Sequence, residues 1–322
     1  MLVKCVVTGV KNMKKLLRNA SVILAAGGVG VYGAYRMVFG RNRKNQGLDT
    51  EIPKGKQYDP YAEMIRQNVE SVKELHFQRI FIEAKDGITL AGKYYHVKDQ
   101  APLIVFFHGY RSGALRDGNG ILLYARKMGY NARLVDQRGH GKSGGKTITF
   151  GIKERYDCLD WIRYANRRFG EHTQIILAGI SMGASTVLMA TGDPMPSYVK
   201  GIIADCGYTT PYDMFYHYGH SHFHIPMPVM DVFNKHCIKT AGIDLKSYST
   251  LEAMATNETP IFFVHGKGDT FVPMEMTMAN YEACKAPKQL LLVDDAPHAM
   301  SFLFGTEEYT EKALAFFDEC EA

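Results

Sequence analysis

The stretch QIILAGISMG, from Gln174 to Gly183, decides how the rest of the chain is read. Its first half is a short run without charge, the pattern of a strand buried on both faces. Gly179-Ile180-Ser181-Met182-Gly183 follows at once, and the residues after Ser181 read as a helix. Strand, sharp turn and helix around G-x-S-x-G form the setting of a nucleophile elbow. Small residues at both glycine positions let the turn close with the serine hydroxyl exposed at its apex. The five-residue pattern alone recurs by chance; its place directly after a strand gives it weight.

Working outward, strand-like and helix-like segments alternate from Phe77 onward. FQRIFIEA and GITLAGKYYHV flank an Asp86-Gly87 turn as a hairpin, and LIVFFHG, ARLVD, QIILAGI, GIIADCG, IFFVHG and QLLLVDD are short apolar runs separated by amphipathic stretches. Such alternation predicts an α/β architecture with a mostly parallel central sheet flanked by helices. The alternation is interrupted at about 208–250. That stretch is rich in aromatic residues and Met, including Tyr212, Phe215, Tyr216, Tyr218, Phe223, Phe233, Met214, Met227 and Met230. It has the length and place of a lid insertion, expected to cover the serine and shape an apolar pocket with adaptable walls; an equal reading makes these residues the insertion's own core.

A serine hydroxyl is a weak nucleophile at neutral pH and needs a base, which in turn needs a group to hold its tautomer. Asp269 follows the strand IFFVHG and His298 follows QLLLVDD, so both fall at the carboxyl ends of strands, where open α/β sheets bind ligands. Asp205, at the end of GIIADCG, competes with Asp269 as the acid. Two backbone N–H groups should face the developing oxyanion: that of Met182, directly after the nucleophile, and that of Tyr110 in the loop after LIVFFHG. His108 reads as a structural loop residue.

With FFHGY, DQRGHGKS at 136–143, the Ser181 elbow, HGKGD and APH in this order, the chain from Phe77 to Glu319 resembles the α/β-hydrolase-fold serine hydrolases, in the branch of serine aminopeptidase-like and acyl-esterase-like proteins. The resemblance implies an α/β-hydrolase fold and a Ser181, His298, Asp269 triad acting through an acyl-serine. It does not choose a substrate. A small-molecule ester is the leading expectation, with a short peptide or thioester on the same triad as the alternative. A non-catalytic, membrane-tethered ligand-binding protein is the alternative of another class. No cofactor or metal is expected. Gly28, Gly30 and Gly33 match G-x-G-x-x-G, but no second strand ending in an acid follows. Gly139, Gly141 and Gly144 match it too, inside the family's own loop. His220, His222 and His224 would share one side of a strand as metal ligands, which the triad does not need.

The chain has 322 residues, 46% apolar and 22% charged, with a net charge of +5, numbers that exclude collagen-like, coiled-coil and wholly disordered chains. Nine basic residues lie in the first 44 positions, so the body carries no nucleic-acid footprint. The six cysteines lack metal-ligand spacing and read as mostly reduced thiols. From Asn19 to Gly40 the only charge is Arg36, and 22 residues as a helix span about 33 Å, close to a bilayer's hydrocarbon thickness. The expected organisation is therefore a basic tail (1–18), a transmembrane anchor (19–40), a linker and short helix (41–75) and a hydrolase domain (76–322). With basic residues on both flanks, the side of the membrane is not legible.

Overall fold

The structure, a computed structural model, describes residues 32–33, 35–41, 49–55, 57–170 and 172–321. One eight-stranded sheet runs through it: β1 (Gln78–Glu83), β2 (Thr89–Tyr95), β3 (Leu103–Phe107), β4 (Asn131–Asp136), β5 (Ile175–Ile180), β6 (Val199–Asp205), β7 (Ile261–Gly266) and β8 (Lys288–Val293). The spatial order is β1-β2-β4-β3-β5-β6-β7-β8. The β1–β2 hairpin and the β2–β4 pair are antiparallel, and every later pair is parallel. Strands β3, β4, β5 and β7 are buried along their whole length, as continuous apolar runs in a doubly covered sheet should be. This is the α/β-hydrolase fold.

Because β3 leads to β4 on one side while β5 leads to β6 on the other, the chain reverses direction across the sheet between β3 and β5. That is the switch point where open α/β sheets place their ligands. Phe107 on β3 pairs with Gly179 on β5, which puts the loop after β3 beside the Ser181 turn. Both faces are packed: Trp161, Ile162, Val187 and Leu188 lie on one side, Leu122, Tyr124, Phe316 and Phe317 on the other. The helices are α1 (Ala62–Lys73), α2 (Ala114–Met128), α3 (Glu154–Phe169), α4 (Met182–Ala190), α5 (Pro211–Phe223), α6 (Met227–Ala241), α7 (Thr250–Met254), α8 (Met274–Ala283), α9 (Ser301–Phe304) and α10 (Thr306–Glu321).

The insertion at 208–250 contains α5 and α6. Thr210 caps α5 by accepting the Asp213 N–H, and Pro211 and Pro228 sit in the first turns, where a missing N–H is harmless. His220 and His222 lie in the last turn of a helix, not on a strand, so the alternation that suggested ligands has no structural counterpart. Cys158, Cys206, Cys237 and Cys284 are free and buried.

The expected membrane anchor is corrected here. Residues 19–31 and 34 of that stretch lie outside the described residues. Its remaining part is docked on protein: residues 35–39 are helical, Tyr35 and Phe39 are buried, and the Phe39 ring lies 5.5 Å from Phe150, 5.7 Å from Phe215 and 6.0 Å from Phe233. Gly40 bridges Thr147, and the Ile148 N–H donates to the Phe39 carbonyl at 2.8 Å. No helix among the described residues is long and apolar enough to cross a membrane. Apolar composition reports that a segment avoids water; it does not say whether lipid or protein replaces it. Helix α1 is likewise packed on the body, with its Ile65 and Val69 buried beside Met300.

Candidate active site

Ser181 stands between β5 and α4 with φ +53° and ψ −116°, a conformation a non-glycine residue holds only where its surroundings impose it. The two elbow glycines explain how. A Cβ on Gly179 would meet the Gly183 carbonyl at 2.3 Å, and one on Gly183 would meet the Phe107 carbonyl at 1.9 Å. The turn closes only because both positions are bare. The Ser181 N–H also donates to the Asp205 carbonyl at 2.8 Å, tying the elbow to the end of β6.

Around this hydroxyl the loops after β7 and β8 converge. Ser181 Oγ lies 2.9 Å from His298 Nε2, and His298 Nδ1 lies 2.6 Å from Asp269 Oδ2. With Nδ1–H donating to the carboxylate, Nε2 is left to accept the serine proton. Asp269 is itself held by three further groups: the Phe271 and Val272 N–H groups donate to Oδ1 at 2.8 and 3.0 Å, and His265 Nε2 lies 3.4 Å from Oδ2. Burial alone would raise this carboxyl, but the charge and hydrogen bond of His298, then His265 and the Val272 amide, hold it below the ordinary value. His298 is the mirror case. Burial would lower it, and the Asp269 charge and hydrogen bond, with the charges of Asp205 and Asp117, outweigh burial and raise it. Asp205, the competing acid, is placed elsewhere: its Oδ1 accepts from the Ser301 hydroxyl at 2.8 Å.

The loop after β3 is held by groups the sequence reading left aside. Gly109 N–H donates to Asp117 Oδ2 at 2.8 Å, and Arg111 N–H donates to His140 Nε2 at 3.0 Å, so the amides on either side of Tyr110 are both anchored. His108 Nε2 accepts the Gln137 N–H, and its Nδ1 donates to the Gly109 carbonyl. Burial keeps both histidines neutral, pushing His140 down to about 3 and His108 below its ordinary value. The DQRGHGKS loop is therefore the brace of the Tyr110 turn. Met182, the first residue of α4, presents its N–H at the start of a helix that begins beside Ser181. Cys206 is also here, its Sγ within 4.8 Å of ligand atoms of Asp269 and His298, with burial keeping the thiol protonated.

A cavity of about 240 Å³ opens on Ser181 and His298. It is lined by the apolar Phe106, Ile180, Ile203 and Phe302 and by Asn119, Asp205 and Tyr309. Its outer wall was not foreseen: Pro53, Gln57, Tyr58 and Ile65, from the segment before the hairpin, line it. Among the described residues, none of 208–250 does. The insertion reaches the pocket through Phe271, whose ring lies 5.1 Å from Tyr218 and 5.0 Å from His298. Asp49 ties the wall segment down: it is paired with buried Lys93, and it accepts the Leu115 N–H at the start of α2. Asp117 and Tyr58 carry no motif, so only their distance from recognisable elements in the folded chain could have revealed them.

Comparison with known proteins agrees with the fold. Residues 120–321 match the prolyl oligopeptidase family. The Bacillus subtilis protein YqkD is 25% identical over 312 residues, 95% of this chain and 98% of its own length. The Arabidopsis thaliana α/β-hydrolase domain-containing protein WAV2 is 23% identical over 76% of this chain and 80% of its own. Among solved structures, the Pyrococcus furiosus esterase Pf2001 superposes with a TM-score of 0.62 at 21% identity, covering 79% of this chain and 94% of that one. Est1E from Butyrivibrio proteoclasticus, solved with ferulic acid bound, gives 0.58 at 20%, covering 73% and 98%.

Proposed function

The chain belongs to the prolyl oligopeptidase family, and from that premise we propose that it hydrolyses a carboxylic ester through an acyl-enzyme formed on Ser181. The observation that carries the reading is the unbroken relay of 2.9 Å from Ser181 Oγ to His298 Nε2 and 2.6 Å from His298 Nδ1 to Asp269. His298 takes the serine proton as Oγ attacks the ester carbonyl, and Asp269 stabilises the imidazolium without accepting the proton. The Tyr110 and Met182 N–H groups face the oxyanion. The intermediate collapses with the C–O bond to the alcohol breaking, and His298 returns the proton to the leaving oxygen. Water, deprotonated by His298, then attacks the acyl carbonyl and frees Ser181 and the acid.

The apolar residues lining the pocket favour an ester of a medium-sized apolar or aromatic acyl group, in keeping with the esterases among its structural neighbours. Peptide-bond hydrolysis is the second reading, favoured by the family match itself. The test uses the full chain on p-nitrophenyl esters of increasing acyl length, matched p-nitroanilides, and a fluorophosphonate label. Labelling and ester turnover that both vanish in Ser181→Ala are expected. Anilide turnover exceeding ester turnover would replace the first reading by the second, and an unlabelled Ser181 would sink both.

A further inference from the structure

The turn that carries Tyr110 is strained and does not hold itself. Arg111 sits at φ +51°, a left-handed conformation that a residue with a side chain keeps only where its surroundings impose it. Asp117 and His140 fix the amides on either side of Tyr110, but the side chains of Tyr110 and Arg111 are fixed from far away in the chain. The Tyr110 hydroxyl donates to the Val38 carbonyl at 2.7 Å. The Arg111 guanidinium, its carbon 5.0 Å from the Tyr110 ring centre, donates to the Met37 carbonyl. Burial pushes the Tyr110 phenol up to about 12, so it is a donor at neutral pH.

The last carbonyls of a helix have no partner inside it. Residues 35–39 are helical, and the carbonyls of Met37, Val38 and Phe39 are taken in turn by Arg111, Tyr110 and the Ile148 N–H. Arg41 extends the grip: its N–H donates to the Lys146 carbonyl at 3.0 Å, and its guanidinium donates at 3.1 Å to the carbonyl of Gly141, the neighbour of His140. The exit from the helix needs Gly40, where a Cβ would meet the Arg36 carbonyl at 2.3 Å. Phe39 is the anchor. It is buried against Phe150, whose ring lies 4.7 Å from that of Tyr110. Phe39, Phe150 and Met182 belong to one buried cluster, and Tyr110 packs against it. Both residues assigned as oxyanion donors thus rest on the cluster that holds Phe39.

We propose that segment 35–41 is a positioning element of the oxyanion hole: Phe39 seats it, and the Val38 and Met37 carbonyls set the turn that presents the Tyr110 N–H. The inference rests on the hydrolase reading for its chemistry. Met37, Val38 and Phe39 are not among the residues lining the pocket, so their effect passes through Tyr110 and Arg111. A displaced donor stabilises the tetrahedral intermediate less while leaving substrate binding nearly as it was, so the loss falls on kcat.

The experiment follows p-nitrophenyl butyrate hydrolysis by the full chain, by Phe39→Ala, by Tyr110→Phe and by the double variant. Tyr110→Phe keeps the peptide N–H and removes only the hydroxyl. Phe39→Ala is expected to lower kcat about 30-fold and Tyr110→Phe about tenfold, with KM within about twofold of the parent. The pH midpoint of kcat/KM should not move, since the His298 relay is untouched. In the double variant the two losses should not multiply, because both act on one turn. Amide exchange requires no turnover: residues 109–113 should exchange faster in each single variant than in the parent, so the segment is judged even if the parent neither labels nor hydrolyses and the hydrolase reading falls. If Phe39→Ala fails to fold, Tyr110→Phe decides alone, by kcat and by exchange. Parental kcat in the folded variants, losses that multiply in full, a shifted pH midpoint, or unchanged exchange at 109–113 overturns the proposal.

Discussion

The pocket has two walls built in different ways. On the sheet side, Ser181, Asp269 and His298 leave the ends of β5, β7 and β8 within a few residues of buried strand, and their backbone is dictated by close packing. A methyl group on Gly183 would sit 1.9 Å from the β3 backbone, so this side has no room to drift. On the other side, the described residues of 49–61 carry a single turn of 3₁₀-helix, Asp59–Tyr61, and are held by polar contacts. They include Asp49 to Lys93 and to the Leu115 N–H, Arg116 to the Glu51 carbonyl and the Thr270 hydroxyl to Gln57 Oε1, with Tyr58 packed beside Ile65 and Met300. The proposed chemistry lies on the closely packed wall, and the proposed selectivity on the wall held by fewer contacts.

That contrast is open to attack from both sides. Ser181→Ala should lower ester kcat by about 10⁶-fold, measured with p-nitrophenyl butyrate, while leaving the melting temperature nearly unchanged. Asp269→Asn should cost about 10⁴-fold, because the imidazole loses the partner that holds its tautomer. If Asp205→Asn cost as much as Asp269→Asn, the acid would have been misassigned. On the adjustable wall, Tyr58→Ala should raise KM for short acyl esters by about tenfold with kcat little affected, the pattern of a group that binds ground state and transition state alike. An equal fall in kcat would place Tyr58 in the chemistry and erase the contrast. Asp49→Ala should destabilise the fold by about 1–2 kcal/mol in urea unfolding, since it removes a helix-start acceptor and the partner of a buried lysine whose ion pair is partly exposed. The smallest effect is in pH. Only neutral His298 accepts the serine proton, and Asp269 raises His298 above its usual 6.5, so kcat/KM should fall as pH drops through a midpoint above that value. In Asp269→Asn the midpoint should move down, because burial is then opposed only by the weaker charges of Asp205 and Asp117.

The same division governs what the amino-acid order reveals. The meeting of Ser181, His298 and Asp269 was legible because each lies within a few residues of an apolar strand, and the strand order makes neighbours of them. Asp269 and Asp205 both stood at strand ends, and only the folded chain places one on His298 and the other on Ser301. The outer wall was not legible: Gln57 meets Thr270 across 213 positions, and nothing local marks either residue. The aromatic insertion at 208–250 was expected to roof the serine, yet its rings pack largely on one another and on Phe39, because large apolar side chains report burial without saying against what. The same ambiguity produced the membrane anchor, whose Tyr35 and Phe39 are buried among protein rings.

The position of the outer wall has a consequence for how the chain can be classified and re-engineered. The family pattern begins at residue 120, whereas Tyr58, Tyr110, Asp117 and Asn119 all precede it. The family match thus covers the residues proposed to break the bond and leaves out nearly half of the residues that line the pocket. Grafting a different stretch of 49–65 onto the same catalytic body is the direct route to a new substrate range, and relatives that share the family label need not share a substrate.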